Sequence, residues 1–238
     1  MERLRYGSDP SQWADVHRPA AVSRGLVVVV HGGFWKARYG AEYGEPLARD
    51  LAVRGWTAAN VEYRRVGNGG GYPATLDDIH AALHLLGDSA GGPVVTLGHS
   101  AGGHLATWAA ARGRFERWTG GPALTHVVSQ AGVLDLRSAV ADRLGDHAAP
   151  AFLGDDAGEA AYDRADPMSQ VPLDVPVWAV HARDDDTVPF SQARNYVTAA
   201  RRAGAEATLV EVGGGHFGVI DTASDAWAAV VAVLDGIG

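Results

Sequence analysis

A serine stands between two glycines in the segment "GHSAG" at residues 98–102, directly after the apolar run "PVVT". Where a strand turns sharply into a helix at a serine, the serine backbone is strained and bulky neighbours two positions away would clash. Gly98 and Gly102 remove that bulk. An ordinary turn would also accept glycine and serine, but the strand-like run before and the helical segment after favour a nucleophile elbow. We therefore predict that Ser100 is a nucleophile at the positive end of a helix.

A serine hydroxyl needs a base to take its proton and an acid to orient that base. The segment "VEVGGGHFGVI" places His216 behind three glycines, in a loop that can bring its imidazole over the edge of a sheet. We predict that His216 is the base. His31 and His99 stand close to the other motifs, and we expect them to line the substrate pocket. Other histidines fall before or inside regular elements, and His104 comes one helical turn after Ser100, where we expect it to pack.

Three consecutive aspartates in "HARDDDTVPF" are candidates for the acid. Asp185 comes four residues after His181, and a turn that begins at Arg183 would project its carboxylate towards the loop of His216. We predict Asp185 as the acid and keep Asp184 as the alternative. A charged residue in a loop is usually solvated, and with Asp185 as the acid we expect this for Asp184 and Asp186.

A tetrahedral intermediate also needs hydrogen-bond donors for its oxyanion. The segment "HGGFWK" follows the apolar run "LVVVV" and offers backbone N–H groups at a bend that glycine permits. We predict that Gly33 and Phe34 donate together with Ala101, the first residue of the elbow helix. We also expect Trp35 and Phe152 to line the pocket and to contact an aromatic leaving group.

These residues require a scaffold that brings distant segments together. Short β-branched runs alternate with helical segments, which predicts an α/β fold with a mostly parallel sheet covered on both faces. The strand-like runs are "QWADVH", "GLVVVV", "WTAANVEY", "GPVVTLG", "THVVSQAG", "VPVWAVHA" and "ATLVEVG". The helical segments are 42–54, 76–86, 101–112, 191–203 and 224–234. Residues 133–174, which we call the insertion, interrupt this alternation of strands and helices. We predict that they form a short helical, lid-like segment over the carboxyl edge of the sheet.

Composition limits the class of protein. With 238 residues, of which 47% are hydrophobic, we expect one domain over 1–238. The net charge of -8 argues against a nucleic-acid partner and against an anionic membrane surface, so we expect a small-molecule partner. With the predicted nucleophile, base and acid, that partner would be an ester or amide substrate. The oligomeric state stays open, a homodimer included.

Cysteine is absent, so disulfide bonds and thiolate chemistry are excluded. The spacing of histidines and carboxylates suggests no metal site, and we expect no metal and no cofactor. The segment "MERLRYGSDPSQW" has no apolar run of the kind found in secretory signals, so we expect a cytoplasmic protein. The longest apolar run, "LVVVV", is too short to cross a membrane.

Taken together, the motifs resemble those of a known protein family over nearly the whole chain. The segments "HGGFW", "VEYRR", "YPATLDDIHAAL", "GHSAGGHLA", "HARDDDTVPFSQ" and "GGGHFGVI" stand in the order seen in the HGG-type branch of the α/β-hydrolase superfamily. The sequence resembles its carboxylesterases and its arylformamidase (kynurenine formamidase)-like members. The aromatic pair Phe34-Trp35 is closer to the formamidase-like proteins than to the lipase-like branch, which has a third glycine. The insertion is rich in alanine and glycine, and there is little room for a large N-terminal cap.

The resemblance implies an α/β-hydrolase fold, a triad of Ser100, Asp185 and His216, and an oxyanion hole of Gly33, Phe34 and Ala101. The expected activity is that of a serine hydrolase that cleaves small-acyl esters or aryl formamides through an acyl-enzyme. One alternative is a small peptidase or acylaminoacyl hydrolase, which would share the triad. Another is a ligand-binding receptor on a hydrolase scaffold, which would tolerate loss of the serine or the histidine. The acyl group and the leaving group stay open.

Overall fold

The computed structural model describes residues 1–87, 91–154 and 157–237. Within them, eight strands form one sheet in the order β1-β2-β4-β3-β5-β6-β7-β8. The strands are β1 (Glu2–Arg5), β2 (Trp13–His17), β3 (Leu26–Val30), β4 (Thr57–Glu62), β5 (Val94–His99), β6 (His126–Gln130), β7 (Val177–Ala182) and β8 (Ala207–Val212). Strand β2 pairs antiparallel with β1 and β4, whereas the pairs from β4 to β8 are parallel. The predicted mostly parallel sheet is confirmed.

Strand β1 was not among the seven predicted strands. It lies at the edge of the sheet, and its sequence, "ERLR", is mostly charged and largely exposed. Charged side chains are common on edge strands because they discourage pairing with another chain. Such a strand has no apolar run by which the sequence could reveal it.

Helices cover the sheet. They are α1 (Glu45–Val53), α2 (Ala74–Gly87), α3 (Ala101–Ala111), α4 (Leu136–Ala141), α5 (Leu144–Leu153), α6 (Glu159–Ala165), α7 (Ser191–Arg202), α8 (Gly215–Gly218) and α9 (Asp225–Asp235). Short 3-10 turns occur at Ala41–Tyr43, Arg112–Arg114, Glu116–Trp118 and Pro167–Gln170. The segment predicted as one helix over 42–54 is a 3-10 turn followed by α1. A new helix begins there because Pro46 lacks an N–H donor and suits the first turn of a helix.

The two faces of β3 belong to different parts of the core. Leu26, Val28 and Val30 pack in the cluster that includes residues of α2 and α3. The alternate residues Val27 and Val29 pack in the cluster that includes residues of α1 and α9. Successive side chains of a strand point to opposite faces, so a strand covered on both sides has a continuous apolar sequence. This explains the uninterrupted run "LVVVV".

The insertion is helical, as expected, and its described part comprises α4, α5, α6 and the turn at Pro167–Gln170. Helix α5 starts with a left-handed turn at residues 145–147 before it continues as a regular helix. The buried apolar residues of α4, α5 and α6 belong to the same core cluster as α2 and α3: Leu136, Ala139, Ala148, Ala149, Phe152, Leu153 and Ala165. The insertion is therefore packed into the body of the protein. Residues 155 and 156 lie outside the described part of the chain.

The parallel strands place their carboxyl ends at one edge of the sheet. The turn "GGFW" follows β3, Ser100 follows β5, Asp185 follows β7 and His216 follows β8. Ligands of open α/β sheets bind at this edge. Among the described residues, no helix is long and apolar enough to cross a membrane.

Candidate active site

Ser100 lies between the end of β5 and the start of α3 with φ 55° and ψ -119°. Positive φ is uncommon for a residue other than glycine. A Cβ atom on Gly98 would lie 2.0 Å from the carbonyl oxygen of Gly102, and one on Gly102 would lie 2.1 Å from that of Val30. Both contacts are with backbone, which cannot move aside without shifting α3 or β3. The two glycines are therefore required by the close approach of α3 to the neighbouring strands.

The hydroxyl of Ser100 is buried and has no hydrogen-bond partner within the described part of the chain. It borders a cavity that is partly open to solvent. The cavity is lined by residues from four loops at the carboxyl edge of the sheet: Gly32, Gly33, Phe34, Tyr39, Tyr43, His99, Ser100, Thr187, His216 and Phe217. Ser100 and His216 thus line the same cavity.

His216 contacts one of the three aspartates. Its Nδ1 lies 2.8 Å from Oδ2 of Asp185, while its Nε2 has no hydrogen-bond partner among the described residues. The imidazole reaches this position because Gly214 and Gly215 adopt φ values of 103° and 64°, which other residues rarely adopt. Asp184 accepts a long hydrogen bond of 3.4 Å from the N–H of Gly214. The structure therefore places Asp185, and not Asp184, beside the imidazole.

The carboxylate of Asp185 is held by four donors. Oδ1 accepts hydrogen bonds from the N–H groups of Thr187 and Val188, at 2.9 Å and 2.8 Å. Oδ2 lies 3.2 Å from Nε2 of His181 in addition to its contact with His216. Burial alone would raise the pKa of Asp185, but the hydrogen bonds from His181, His216 and Val188 outweigh it and hold that pKa well below its usual range. The carboxylate is therefore ionised at neutral pH and fixed in orientation.

The contact between His181 and the carboxylate of Asp185 was not predicted from the sequence. Its ring is buried at the end of β7, and its Nε2 also lies 2.9 Å from the carbonyl oxygen of Val188. The spacing of four residues between His181 and Asp185 was the available signal. This spacing brings the side chains of His181 and Asp185 together because the chain turns back after β7.

His99 lines the cavity. Its Nε2 lies 2.9 Å from the carbonyl oxygen of His216, and the two rings are 4.6 Å apart. Burial and the nearby His216 lower the pKa of His99 to about 3, so its ring is neutral. With the proton on Nε2, His99 donates to the backbone of His216 and ties the end of β5 to the loop that carries the imidazole.

The turn after β3 contains two consecutive residues in the left-handed region. Phe34 has φ 52° and Trp35 has φ 55°, and the N–H of Lys36 donates to the carbonyl oxygen of Gly33 at 2.9 Å. Each left-handed residue other than glycine costs roughly 1–2 kcal/mol. The N–H groups of Gly33, Phe34 and Ala101 make no hydrogen bond to another described group. We call this segment, residues 33–36, the oxyanion turn after the role predicted for it, because the N–H groups of Gly33 and Phe34 are unpaired beside the cavity.

Three residues expected in the pocket lie elsewhere. Trp35 is 1% exposed and stacks on Phe152 at 4.9 Å between ring centroids, behind the oxyanion turn. His31 stacks on Tyr63 beneath the sheet edge, 3.2 Å from Glu62 Oε1. The expectation that Trp35, Phe152 and His31 line the cavity is therefore wrong. The left-handed turn directs the Trp35 side chain into the core, which the sequence alone did not reveal.

Other aromatic residues take the place that was expected for Trp35 and Phe152. Tyr39, Tyr43 and Phe217 line the cavity, and Tyr43 and Phe217 are 40% and 58% exposed. We call these three side chains the aromatic rim. In the sequence, the available signals were the two tyrosines of "RYGAEY" and the phenylalanine that follows His216. Thr187 and Gly32 also line the cavity and were not predicted to do so.

In the described ranges, no group of three or more histidine, aspartate or glutamate side chains is arranged to hold a metal ion. His31, Glu62 and Arg65 do form a buried cluster near the oxyanion turn, in which Arg65 pairs with Glu62. Burial and the cation of Arg65 lower the pKa of His31 to about 3. This cluster supports the end of β3, since the hydroxyl of Tyr63 donates to the carbonyl oxygen of His31 at 2.7 Å.

Comparisons with solved structures show close similarity of fold. A truncated carbohydrate esterase from gut microbiota is 20% identical with a TM-score of 0.79, and the match covers 98% of this chain and 94% of that chain. An esterase of the planctomycete Thermogutta terrifontis with bound butyrate is 22% identical with a TM-score of 0.76, covering 99% and 92%. Esterase 2 of the same organism, phosphonylated by sarin, is 22% identical with a TM-score of 0.78, covering 99% and 92%.

No curated protein matches the chain in sequence. Its residues 14–199 match the BD-FAE family, which is more than half of the chain. The overall fold of the chain is similar to that of the structures above. The chain therefore belongs to the BD-FAE family and has the α/β-hydrolase fold.

Proposed function

We propose that this protein is a serine hydrolase that cleaves esters through an acyl-enzyme. The observation that carries the proposal is the shared cavity of Ser100 and His216, in which Asp185 holds Nδ1 of the imidazole at 2.8 Å. Nε2 of His216 and the hydroxyl of Ser100 have no hydrogen-bond partner among the described residues. A nucleophile, a base and a group that orients the base are the parts that acyl transfer needs.

In the proposed reaction, Ser100 Oγ attacks the carbonyl carbon of the ester and its proton passes to Nε2 of His216. Asp185 stabilises the imidazolium that forms. The N–H groups of Gly33, Phe34 and Ala101 bind the oxyanion of the tetrahedral intermediate. The carbon–oxygen bond to the leaving group then breaks and His216 gives its proton to the alcohol. Water attacks the acyl-enzyme with His216 again as base, which releases the acid and restores Ser100.

The cavity supports a neutral substrate of limited size. Its lining includes no lysine, arginine, aspartate or glutamate among the described residues, so a charged acyl group would have no partner there. We propose that the substrates are small-acyl esters or aryl formamides. The aromatic rim would contact an aromatic leaving group. The butyrate and the phosphonylation by sarin named for the two Thermogutta esterase structures support a small acyl group and a reactive nucleophile.

Covalent labelling tests the proposal. A fluorophosphonate probe should add to the protein once, and peptide mass spectrometry should place the adduct on Ser100. Ser129 is a suitable control because it is also buried and has an unpaired hydroxyl, but it lies within β6 away from the cavity lining. Labelling should persist in Ser129→Ala and disappear in Ser100→Ala. No labelling of the parent protein, or labelling of Ser100→Ala at the same rate, would refute the proposal.

A further inference from the structure

The oxyanion turn needs support from outside itself. Phe34 and Trp35 adopt φ values of 52° and 55°, which L-residues avoid unless the surroundings impose them. The backbone supplies part of that support, because the N–H of Val66 donates to the carbonyl oxygen of Trp35 at 2.8 Å. The unpaired N–H groups of Gly33 and Phe34 keep their direction only while this conformation persists.

The side chain of Trp35 supplies a second support. It is 1% exposed and lies between two rings, parallel to Phe152 at 4.9 Å and edge-on to His104 at 5.2 Å. Its Nε1–H donates to Nδ1 of His104 at 3.2 Å. We call Trp35, His104 and Phe152 the aromatic clamp.

His104 connects the clamp to two other segments. It lies on α3 one turn after Ser100, and its Nε2 is 2.8 Å from the carbonyl oxygen of Ala165 in the insertion. Because Nδ1 accepts from Trp35, the proton of the neutral ring is on Nε2 and donates to Ala165. Burial lowers the pKa of His104 to about 4, which is consistent with a neutral ring. His104 thus joins the elbow helix, the oxyanion turn and the insertion.

We infer that the aromatic clamp positions the oxyanion turn, so that Trp35, His104 and Phe152 set the direction of the Gly33 and Phe34 N–H groups relative to Ser100. This inference rests on the proposed acyl-enzyme function. The insertion contributes Phe152 and the carbonyl group of Ala165, and none of its described residues lines the cavity. The role of the insertion at the site is therefore to support the oxyanion turn, and not to contact the substrate.

A positioning role has a kinetic signature. The oxyanion exists only in the transition state and the intermediate, whereas the ester is held in the ground state by the cavity and the aromatic rim. Loosening the clamp should therefore lower kcat and leave KM nearly unchanged. A misplacement of about 1 Å can cost about 100-fold in rate, so we expect a decrease in kcat of about 10- to 100-fold.

The test compares kcat and KM for para-nitrophenyl acetate in matched variants. Trp35→Phe removes the donor to His104. His104→Leu removes the acceptor, whereas His104→Asn is smaller but places an acceptor, Oδ1, near the position of Nδ1. Trp227→Phe is the control, because Trp227 is also 1% exposed and donates its Nε1–H to Asp50 at 2.8 Å, but on the other face of the sheet.

We expect the decrease in kcat in Trp35→Phe and His104→Leu, partial recovery in His104→Asn, and the parental value in Trp227→Phe. Thermal unfolding of each variant shows that it is folded, and Phe152→Leu provides a further variant if His104→Leu is not. The result that overturns the inference is a folded Trp35→Phe and His104→Leu with parental kcat. A decrease equal in His104→Asn and His104→Leu would also overturn it, because the acceptor would then be irrelevant.

A transition-state analogue gives a second readout. Phenylboronic acid forms a tetrahedral adduct with an active serine, so its inhibition constant should rise in Trp35→Phe and His104→Leu by about the factor by which kcat falls. An unchanged inhibition constant in both variants would contradict the inference. Failure of the proposed function is distinguishable, because Ser100→Ala would then keep its activity whatever the clamp variants do.

Discussion

His216 and Asp185 meet at the carboxyl ends of two neighbouring strands, with Nδ1 of the imidazole 2.8 Å from Oδ2 of the carboxylate. The same carboxylate receives three further contacts, from His181, Thr187 and Val188. These contacts hold the pKa of Asp185 well below its usual range against the effect of burial, which would raise it. An ionised, oriented carboxylate favours the tautomer of His216 that carries its proton on Nδ1 and leaves Nε2 free to accept one.

This relationship predicts that the three aspartates differ in their effect on catalysis. Asp185→Asn should lower kcat by about three to four orders of magnitude, since a comparable change in the trypsin triad costs about 10⁴-fold. Asp184→Asn and Asp186→Asn should change it little, because neither carboxylate contacts the imidazole in the structure. Steady-state kinetics on one aryl ester gives the comparison. Equal and mild effects at all three positions would contradict the assignment, as would a dominant loss at Asp184.

Acyl-chain length should affect the rate in a graded way. The cavity around Ser100 is bounded by Phe34 and the aromatic rim. Each methylene that is poorly accommodated should change the activation free energy by about 1–3 kcal/mol. We predict that kcat/KM for para-nitrophenyl esters is highest for acetyl to butyryl groups and declines towards dodecanoyl. A maximum at octanoyl or longer would contradict a small acyl pocket.

N-formylkynurenine tests the aryl formamide substrate separately. The formyl group is smaller than acetyl and should fit beside Ser100, with the aromatic amine against the rim. We predict measurable hydrolysis, followed by the absorbance of the released amine. No detectable turnover, with aryl acetates still cleaved, would leave the esterase proposal standing without the formamidase activity.

The close approach at the elbow predicts a large effect of a small substitution. Alanine in place of glycine usually stabilises a helix, but a Cβ on Gly102 would lie 2.1 Å from the carbonyl oxygen of Val30. We predict that Gly102→Ala lowers the free energy of unfolding by about 1–3 kcal/mol or more. Gly113→Ala is the matched control, because a Cβ there would meet nothing within 4 Å. Urea unfolding measures both, and equal stability of the two variants would contradict the steric argument.

The neutral state of His104 predicts a dependence of stability on pH. Burial lowers its pKa from 6.5 to about 4, so between these values the unfolded state binds a proton at His104 and the folded state does not. Stability should therefore decrease as the pH falls from 6.5 towards 4. Asp166 acts in the opposite direction, because burial raises its pKa to about 6. Comparison of the parent with His104→Asn isolates the histidine.

We predict that the loss of unfolding free energy between about pH 7 and about pH 5 is smaller by about 2 kcal/mol in His104→Asn than in the parent. Urea unfolding at the two pH values measures this difference, in which the effects of Asp166 and of the other titrating groups are common to both proteins. The same pH dependence in both proteins would mean that His104 is not neutral and buried in the folded state.

The sequence was most informative where a local conformation demands particular residues. Gly98 and Gly102 revealed the elbow because only glycine fits there, and "LVVVV" revealed a strand covered on both faces. The position of Asp185 followed from its distance to β7 along the chain. The walls of the cavity could not be predicted in this way. Whether Trp35 or Tyr39 faces the cavity depends on the direction in which the turn after β3 reverses, and that is set by contacts with α3 and the insertion.

Turnover by Ser100→Ala tests the central claim most directly. Its Oγ makes no hydrogen bond within the described residues, so the variant should unfold at nearly the parental temperature. With the nucleophile gone, kcat/KM for para-nitrophenyl acetate should fall by about 10⁵- to 10⁶-fold, while Ser129→Ala keeps parental activity. A folded Ser100→Ala that retains about one tenth of the parental kcat/KM would contradict an acyl-enzyme on Ser100, because no loss of the nucleophile is so mild in a triad hydrolase.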